Sequence, residues 1–133
     1  MADVPRLFRV VVQVSDLNKA IGFYSKLLGI EGRALRGSRA YFDCGPVILA
    51  ILDPTPGGIT PRPNVDYIYF AVADLEKVHE RARELGCLSR DQVHDEGAGD
   101  IVVRPWGERS FYCEDPWGNV LCFVDDTTLY TGV

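Results

Sequence analysis

Two stretches of this 133-residue chain carry the same short pattern at a fixed distance. Val14, Asp16, Leu17 and Lys19 recur as Val72, Asp74, Leu75 and Lys77, each 58 residues further on. Both copies lie between a β-branched run and a helical stripe, so the match extends beyond the repeated residues. A repeat of this kind means one supersecondary unit built twice. The chain is therefore constrained to fold as two copies of a strand–helix–three-strand module.

The first copy opens with residues 7–14, Leu-Phe-Arg-Val-Val-Val-Gln-Val, which have strand length and composition. Alternation puts Phe8, Val10, Val12 and Val14 on a face that meets helices, and Arg9, Val11 and Gln13 on the other. Two polar side chains in an otherwise apolar strand fit a cavity wall better than a core. Ser15 and Asp16 offer a helix N-cap, Ala20, Phe23, Tyr24, Leu27 and Leu28 follow at helical spacing, and Gly29 ends the helix. Residues 30–35, 39–44 and 46–52, punctuated by Gly37 and Gly45, read as an antiparallel meander. Residues 53–64 hold four prolines and two glycines, which excludes helix and central strand and leaves a connector.

The second copy begins with a strand over residues 66–72, a cap at Asp74, and a stripe of Leu75, Val78, Ala82 and Leu85 ending at Gly86. Residues 87–99 read as a polar loop, and 101–105 as a strand. Residues 109–114 and 119–125 form a hairpin about Asp115-Pro116-Trp117-Gly118, where Pro presets φ and Gly permits φ > 0. The organisation expected is one α+β domain over residues 1–133, with module one at about 5–53, a connector at 54–64 and module two at about 65–126.

The remaining composition excludes several function classes. Net charge is −5 with no basic cluster, which argues against nucleic acid as a partner. No apolar stretch reaches the roughly 18 residues of a membrane span, and Met1-Ala2-Asp3-Val4-Pro5 lacks the basic and apolar regions of a signal peptide. A cytoplasmic protein with no membrane partner is expected. Cys44, Cys87, Cys113 and Cys122 show no CxxC spacing and read as small, reduced, buried hydrophobes.

The paired βαβββ pattern resembles the vicinal oxygen chelate superfamily, which includes glyoxalase I, extradiol dioxygenases, fosfomycin resistance enzymes and bleomycin-binding proteins. Val14-Ser15-Asp16-Leu17, Phe23-Tyr24 and Leu27-Leu28-Gly29 match its opening signature, and Asp115-Pro116-Trp117-Gly118-Asn119 its closing one. The resemblance implies sheets that curl into half-barrels, a cup with helices outside, and a homodimer. It also implies four metal-ligand positions, which fall here on Arg9, Tyr67, Cys122 and, by laying residues 45–49 over 118–122, Leu49. That set does not suit a divalent cation: the family's site needs imidazole and carboxylate donors, and Arg9 is a permanent cation. The two histidines, His79 on the second helix and His94 in the polar loop, lie off the cup strands. No metal and no cofactor are expected.

The cup lining read in this way is Arg9, Val11, Gln13, Val47, Leu49, Ile51, Tyr67, Tyr69, Val120, Cys122 and Val124, an apolar and aromatic surface with a few hydrogen-bonding groups. Two readings of Arg9 stand: it holds a carboxylate or phosphate of a ligand, or it pairs with an acidic neighbour. Residues 105–111, Pro-Trp-Gly-Glu-Arg-Ser-Phe, resemble a segment of bleomycin-resistance-type members, which bind their ligand without transforming it. Turn chemistry explains that segment as well, with Arg109 able to serve both roles. The ligand-binding residues expected are Arg9, Gln13, Leu49, Tyr67, Tyr69, Trp106, Arg109 and Cys122. The function expected is metal-independent binding of a small organic molecule, aromatic or cationic. The alternatives are a lyase, isomerase or dioxygenase with an altered metal site, and a metal-independent enzyme using Tyr67, Cys122 or Arg9.

Overall fold

The computed structural model describes residues 3–93 and 96–133, so His94 lies outside the described residues. It divides into two compact units, Met1–Pro63 and Asn64–Val133. Each contains one four-stranded mixed sheet and one helix, the α+β architecture of a glyoxalase-like fold. Among the described residues neither sheet closes into a barrel by itself.

In the first unit β1 (Arg9–Gln13) is followed by α1 (Leu17–Leu28), β2 (Arg33–Leu35), β3 (Arg39–Cys44) and β4 (Val47–Leu52). The sheet order is β1-β4-β3-β2, with β1 parallel to β4 and the other pairs antiparallel. Asp16 caps α1 by accepting the Lys19 N–H at 3.1 Å, and Gly29 closes it at φ 70°. The buried stripe Ala20, Phe23, Tyr24 and Leu27 packs on β3 and β4, with Tyr24 6.2 Å from Phe42. Val12, Val14, Phe42, Leu49 and Ile51 complete this core at 2% exposure or less. Each large apolar side chain so buried contributes about 1.5–3 kcal/mol. The connector contains a 3-10 turn at Thr55–Gly57, beginning after Pro54, which the proline content alone had excluded. Proline is compatible with a first helical turn because the N–H it lacks has no partner there.

The second unit repeats the order with β5 (Ile68–Val72), α2 (Leu75–Glu84), β8 (Val102–Val103), β9 (Arg109–Glu114) and β10 (Val120–Asp125), in sheet order β5-β10-β9-β8. The polar loop is not wholly irregular: β6 (Gln92–Val93) and β7 (Glu96–Gly97) form a short antiparallel ladder within it. Asp74 caps α2 through the Lys77 N–H at 3.1 Å. Leu75, Val78 and Ala82 bury against β9 and β10. Beneath them Phe70, Phe123 and Phe111 form a stack with successive centroids 5.1 and 5.4 Å apart. His79 meets Phe111 edge-on at 4.9 Å and bonds the Gly99 carbonyl at 2.8 Å, so it ties α2 to the loop before β8.

The β9–β10 turn is held by its own side chains. Asp115 Oδ1 accepts the N–H groups of Trp117 and Asn119, both at 2.9 Å, and its Oδ2 accepts the Asn119 amide at 2.8 Å. Gly118 sits at φ 92°, a conformation a Cβ would strain.

Candidate functional sites

The register of β4 decides what the helix-free face of the first sheet can offer. Arg9, Val11 and Gln13 pair with Ile48, Ala50 and Leu52, and Tyr41 pairs with Ala50. These residues share the face away from α1, together with Arg39 and Asp43 on β3. Leu49 is on the opposite face, 2% exposed and part of the helix-side core, so it is not a lining residue. Ile51 likewise belongs to the core at 0%. The alternation read for β4 was therefore out by one residue. The glycine overlay misled because the β3–β4 turn has two residues between Cys44 and Val47, whereas the β9–β10 turn has five between Glu114 and Val120. Cys122 pairs with Tyr69 and Ala50 with Val11, so the counterpart of Cys122 in the first unit is Ala50.

Arg9 donates to the Tyr41 hydroxyl and lies over the Tyr41 and Phe8 rings at 5.4 and 4.9 Å. Beside it is a cleft of about 250 Å³ lined by Arg9, Val11, Arg39, Ala50, Ile51 and Leu52. The Arg9 hydrogen bond first, with Arg39 also acting, holds the Tyr41 phenol below its ordinary pKa. Gln13 is used structurally, its side-chain oxygen accepting the Arg62 N–H of the connector at 2.9 Å.

On the second sheet the helix-free face carries Tyr69 and Ala71 from β5, Cys122 and Val124 from β10, and Ser110 and Tyr112 from β9. Its floor is closed. Cys122 is 0% exposed in a cluster with Ala98, Tyr112 and Val124, and Tyr67 packs on Tyr112 with ring centroids 4.5 Å apart. Burial pushes the Cys122 thiol up to about 12, against smaller opposing effects of Ser110 and Arg104. A protonated, enclosed thiol is neither a nucleophile nor a contact for a ligand, which corrects both roles expected of Cys122. Burial raises the Tyr67 phenol as well. The cation beside Cys122 is Arg104, which sequence reasoning missed.

Arg104 is 2% exposed. Its Nε donates to Ser110 Oγ at 3.0 Å, and its Nη2 to the carbonyls of Ser110 and Asp100 at 3.0 and 3.2 Å. The guanidinium lies 4.8 Å from the Tyr112 ring centroid. The only hint in the sequence was a charge ending the apolar pair Val102-Val103.

Towards the β5 edge the same face opens into a groove of about 620 Å³, lined by Tyr69, Phe70, Ala71, Trp106, Glu108, Val124, Leu129 and Tyr130. Trp106 donates its indole N–H to Glu108 at 2.7 Å, and Glu108 also accepts the Tyr130 N–H at 3.0 Å. The carboxylate thus holds both aromatic walls. Two expected residues, Tyr69 and Trp106, meet here. Arg109 does not join them: it pairs with Glu76 of α2 and with Asp125 at 3.3 Å. Glu108, Leu129 and Tyr130 were not expected; the last two follow β10 in a tail without periodicity.

A family model described as the glyoxalase/bleomycin resistance protein/dioxygenase superfamily matches residues 6–123. The chain belongs to this superfamily. Among its relatives is the glutathione transferase FosA of Serratia marcescens, 29% identical over 107 residues, which are 77% of this chain and 76% of the relative. Among solved structures, oxidase ChaP-H2 is 25% identical with a TM-score of 0.73, covering 92% of this chain and 94% of its own. Oxidase ChaP-H1 is 22% identical with a TM-score of 0.76, covering 98% and 100%.

The superfamily's metal-ligand positions, with the register corrected, hold Arg9, Ala50, Tyr67 and Cys122. A guanidinium and a methyl group, with only a phenol and a thiol besides, do not make the imidazole and carboxylate set that holds a divalent cation in this superfamily. Among the described residues no other group of three His, Cys, Asp or Glu side chains is arranged to hold one. Among those residues, too, no helix is long and apolar enough to cross a membrane.

Proposed function

We propose that this superfamily member binds a small organic molecule, an aromatic compound carrying a cationic group, without the superfamily's metal. The observation that carries the reading is the groove bounded by Tyr69, Trp106 and Tyr130 with Glu108 among them. Aromatic faces attract a cation through their quadrupoles, and a carboxylate nearby adds direct attraction. The Glu108 carboxylate has further lone pairs beyond those that accept from Trp106 and Tyr130. A net charge of −5 favours such a ligand over an anionic one at this groove. The reading includes a homodimer in the cytoplasm, and light scattering of the purified protein tests the dimer.

Calorimetric titration with benzyltrimethylammonium tests the ligand class. Saturable binding that weakens at least tenfold in both Trp106→Ala and Glu108→Gln supports it. Absence of binding, or binding indifferent to both substitutions, overturns it.

The second reading is an enzyme with an altered metal site, favoured by relatives whose names are those of a transferase and oxidases. Elemental analysis decides between the two. Stoichiometric zinc, iron, manganese or nickel that is lost on substituting Tyr67 or Cys122 favours the enzyme.

A further inference from the structure

The helix-free face of the first sheet carries three arginines, Arg9, Arg33 and Arg39, on three strands, and among the described residues of those strands one acid, Asp43. Asp43 is taken by Arg33 on the neighbouring strand, through two hydrogen bonds that include Nη2 to Oδ1 at 3.1 Å. Arg9 and Arg39 are left. Among the described residues no carboxylate pairs with either, and their common partner is a phenol. A phenol hydroxyl is a neutral acceptor and does not balance two cations.

Arg9 is also held in place. Its guanidinium lies over two rings, Phe8 at 4.9 Å and Tyr41 at 5.4 Å, which restricts the long side chain before any ligand arrives. Preorganisation of this kind removes part of the entropy cost of binding. The cleft alongside, about 250 Å³, has the two guanidiniums at its rim and Val11, Ala50 and Leu52 as its floor. An oxyanion between the arginines can accept charge-assisted hydrogen bonds from both, while an apolar body covers the floor.

We infer that Arg9 and Arg39 form an oxyanion-binding site, specific for a carboxylate or a phosphorus oxyacid carried on a small apolar group. Its lining residues all belong to the first unit, and the inference does not depend on the function of the aromatic groove in the second. The whole chain is acidic, so diffuse attraction does not account for anion binding here. The affinity must come from the two guanidiniums, and removing either should nearly abolish it.

The test is calorimetric titration of the full chain with phenylphosphonate, benzoate and inorganic phosphate, repeated with Arg9→Gln and Arg39→Gln. Saturable binding of phenylphosphonate or benzoate, weakened at least tenfold by each substitution and by added salt, is the expected result. The relative strength of the two phenyl acids tells which oxyanion is preferred. Inorganic phosphate should bind more weakly than phenylphosphonate because it leaves the floor uncovered. Failure of both phenyl acids to saturate, equal binding by the variants, or phosphate binding as tightly as phenylphosphonate would each overturn the inference. Circular dichroism checks folding of each variant, and if Arg9→Gln is misfolded Arg39→Gln decides. Benzyltrimethylammonium reads the other unit, and neither arginine substitution should change its binding.

Discussion

The side-chain oxygen of Asn119 accepts the backbone N–H of Asn64 at 2.7 Å. Its amide nitrogen meanwhile donates to Asp115 at 2.8 Å. One fully buried side chain thereby joins the β9–β10 turn to the residue where the connector enters the second unit. Asn119→Ala leaves a backbone N–H and a carboxylate oxygen short of a partner. The substitution should cost about 1–3 kcal/mol. It should be seen as a lower urea midpoint with an unchanged denaturant slope. An unchanged midpoint would mean the bonds are replaced by water at no cost.

Gly32 lies directly against a core ring. A Cβ at this position would stand 2.5 Å from Phe42 Cζ and 2.8 Å from two further ring atoms. Phe42 is 0% exposed and packed against Tyr24, so it has little room to withdraw. Gly32→Ala is expected to destabilise by about 1–3 kcal/mol through overpacking. Gly32→Ala with Phe42→Leu should recover part of the loss, and thermal melts of the single and double variants check this. A double variant no more stable than expected from adding the two single effects would argue against a direct clash.

Cys122 should resist thiol reagents in the native protein. It is enclosed, and its thiol is held up at about 12 by burial. Native labelling with a disulfide reagent at pH 8, followed by peptide mapping, should leave Cys122 unmodified, whereas labelling in guanidinium should modify it. The same shift gives a pH dependence. A thiol whose folded pKa lies above its unfolded value of about 9 contributes stability that is present below pH 9. That contribution falls away as pH rises from there through about 12. Cys122→Ala should flatten part of this alkaline loss, and urea titrations at pH 8 and pH 10.5 measure it.

Arg109 acts in the fold and not in the groove. It holds Glu76 of α2 and Asp125 at the end of β10. The Asp125 carboxyl is kept below its usual value, first by the Thr127 backbone N–H and then by further bonds that include Arg109. A lowered carboxylate pKa stabilises above the unfolded value of about 3.9. That stabilisation is lost as pH falls through the folded value. Arg109→Gln should lower the melting temperature near neutral pH, with the difference from the parent protein narrowing as pH falls below 5, and leave benzyltrimethylammonium binding unchanged. A loss of that binding would return Arg109 to the site.

Much of the fold was legible because its signals are local. Asp16 and Asp74 cap their helices through the third residue on, and the buried helical stripes are those read from spacing. The closing motif also makes structural bonds, since Asp115 accepts within the turn and Asn119 ties the turn to Asn64. The candidate sites were less legible. Tyr69 and Trp106 were expected at a ligand surface and share a groove, but Leu49 is in the core, Gln13 holds the connector and Arg109 is in ion pairs.

What the sequence determined by itself was the module and its repetition, because alternation, caps and turn residues act over a few neighbours. Only the tertiary structure decided which face of β4 is free of the helix. A side chain's face changes with every residue, so a difference in turn length between the two modules reverses the outcome. It alone brought the tail residues Leu129 and Tyr130 against Trp106. It alone buried Arg104 and left Arg9 and Arg39 without an acid among the described residues, because charge pairing is set by distances across strands that sequence separation does not encode.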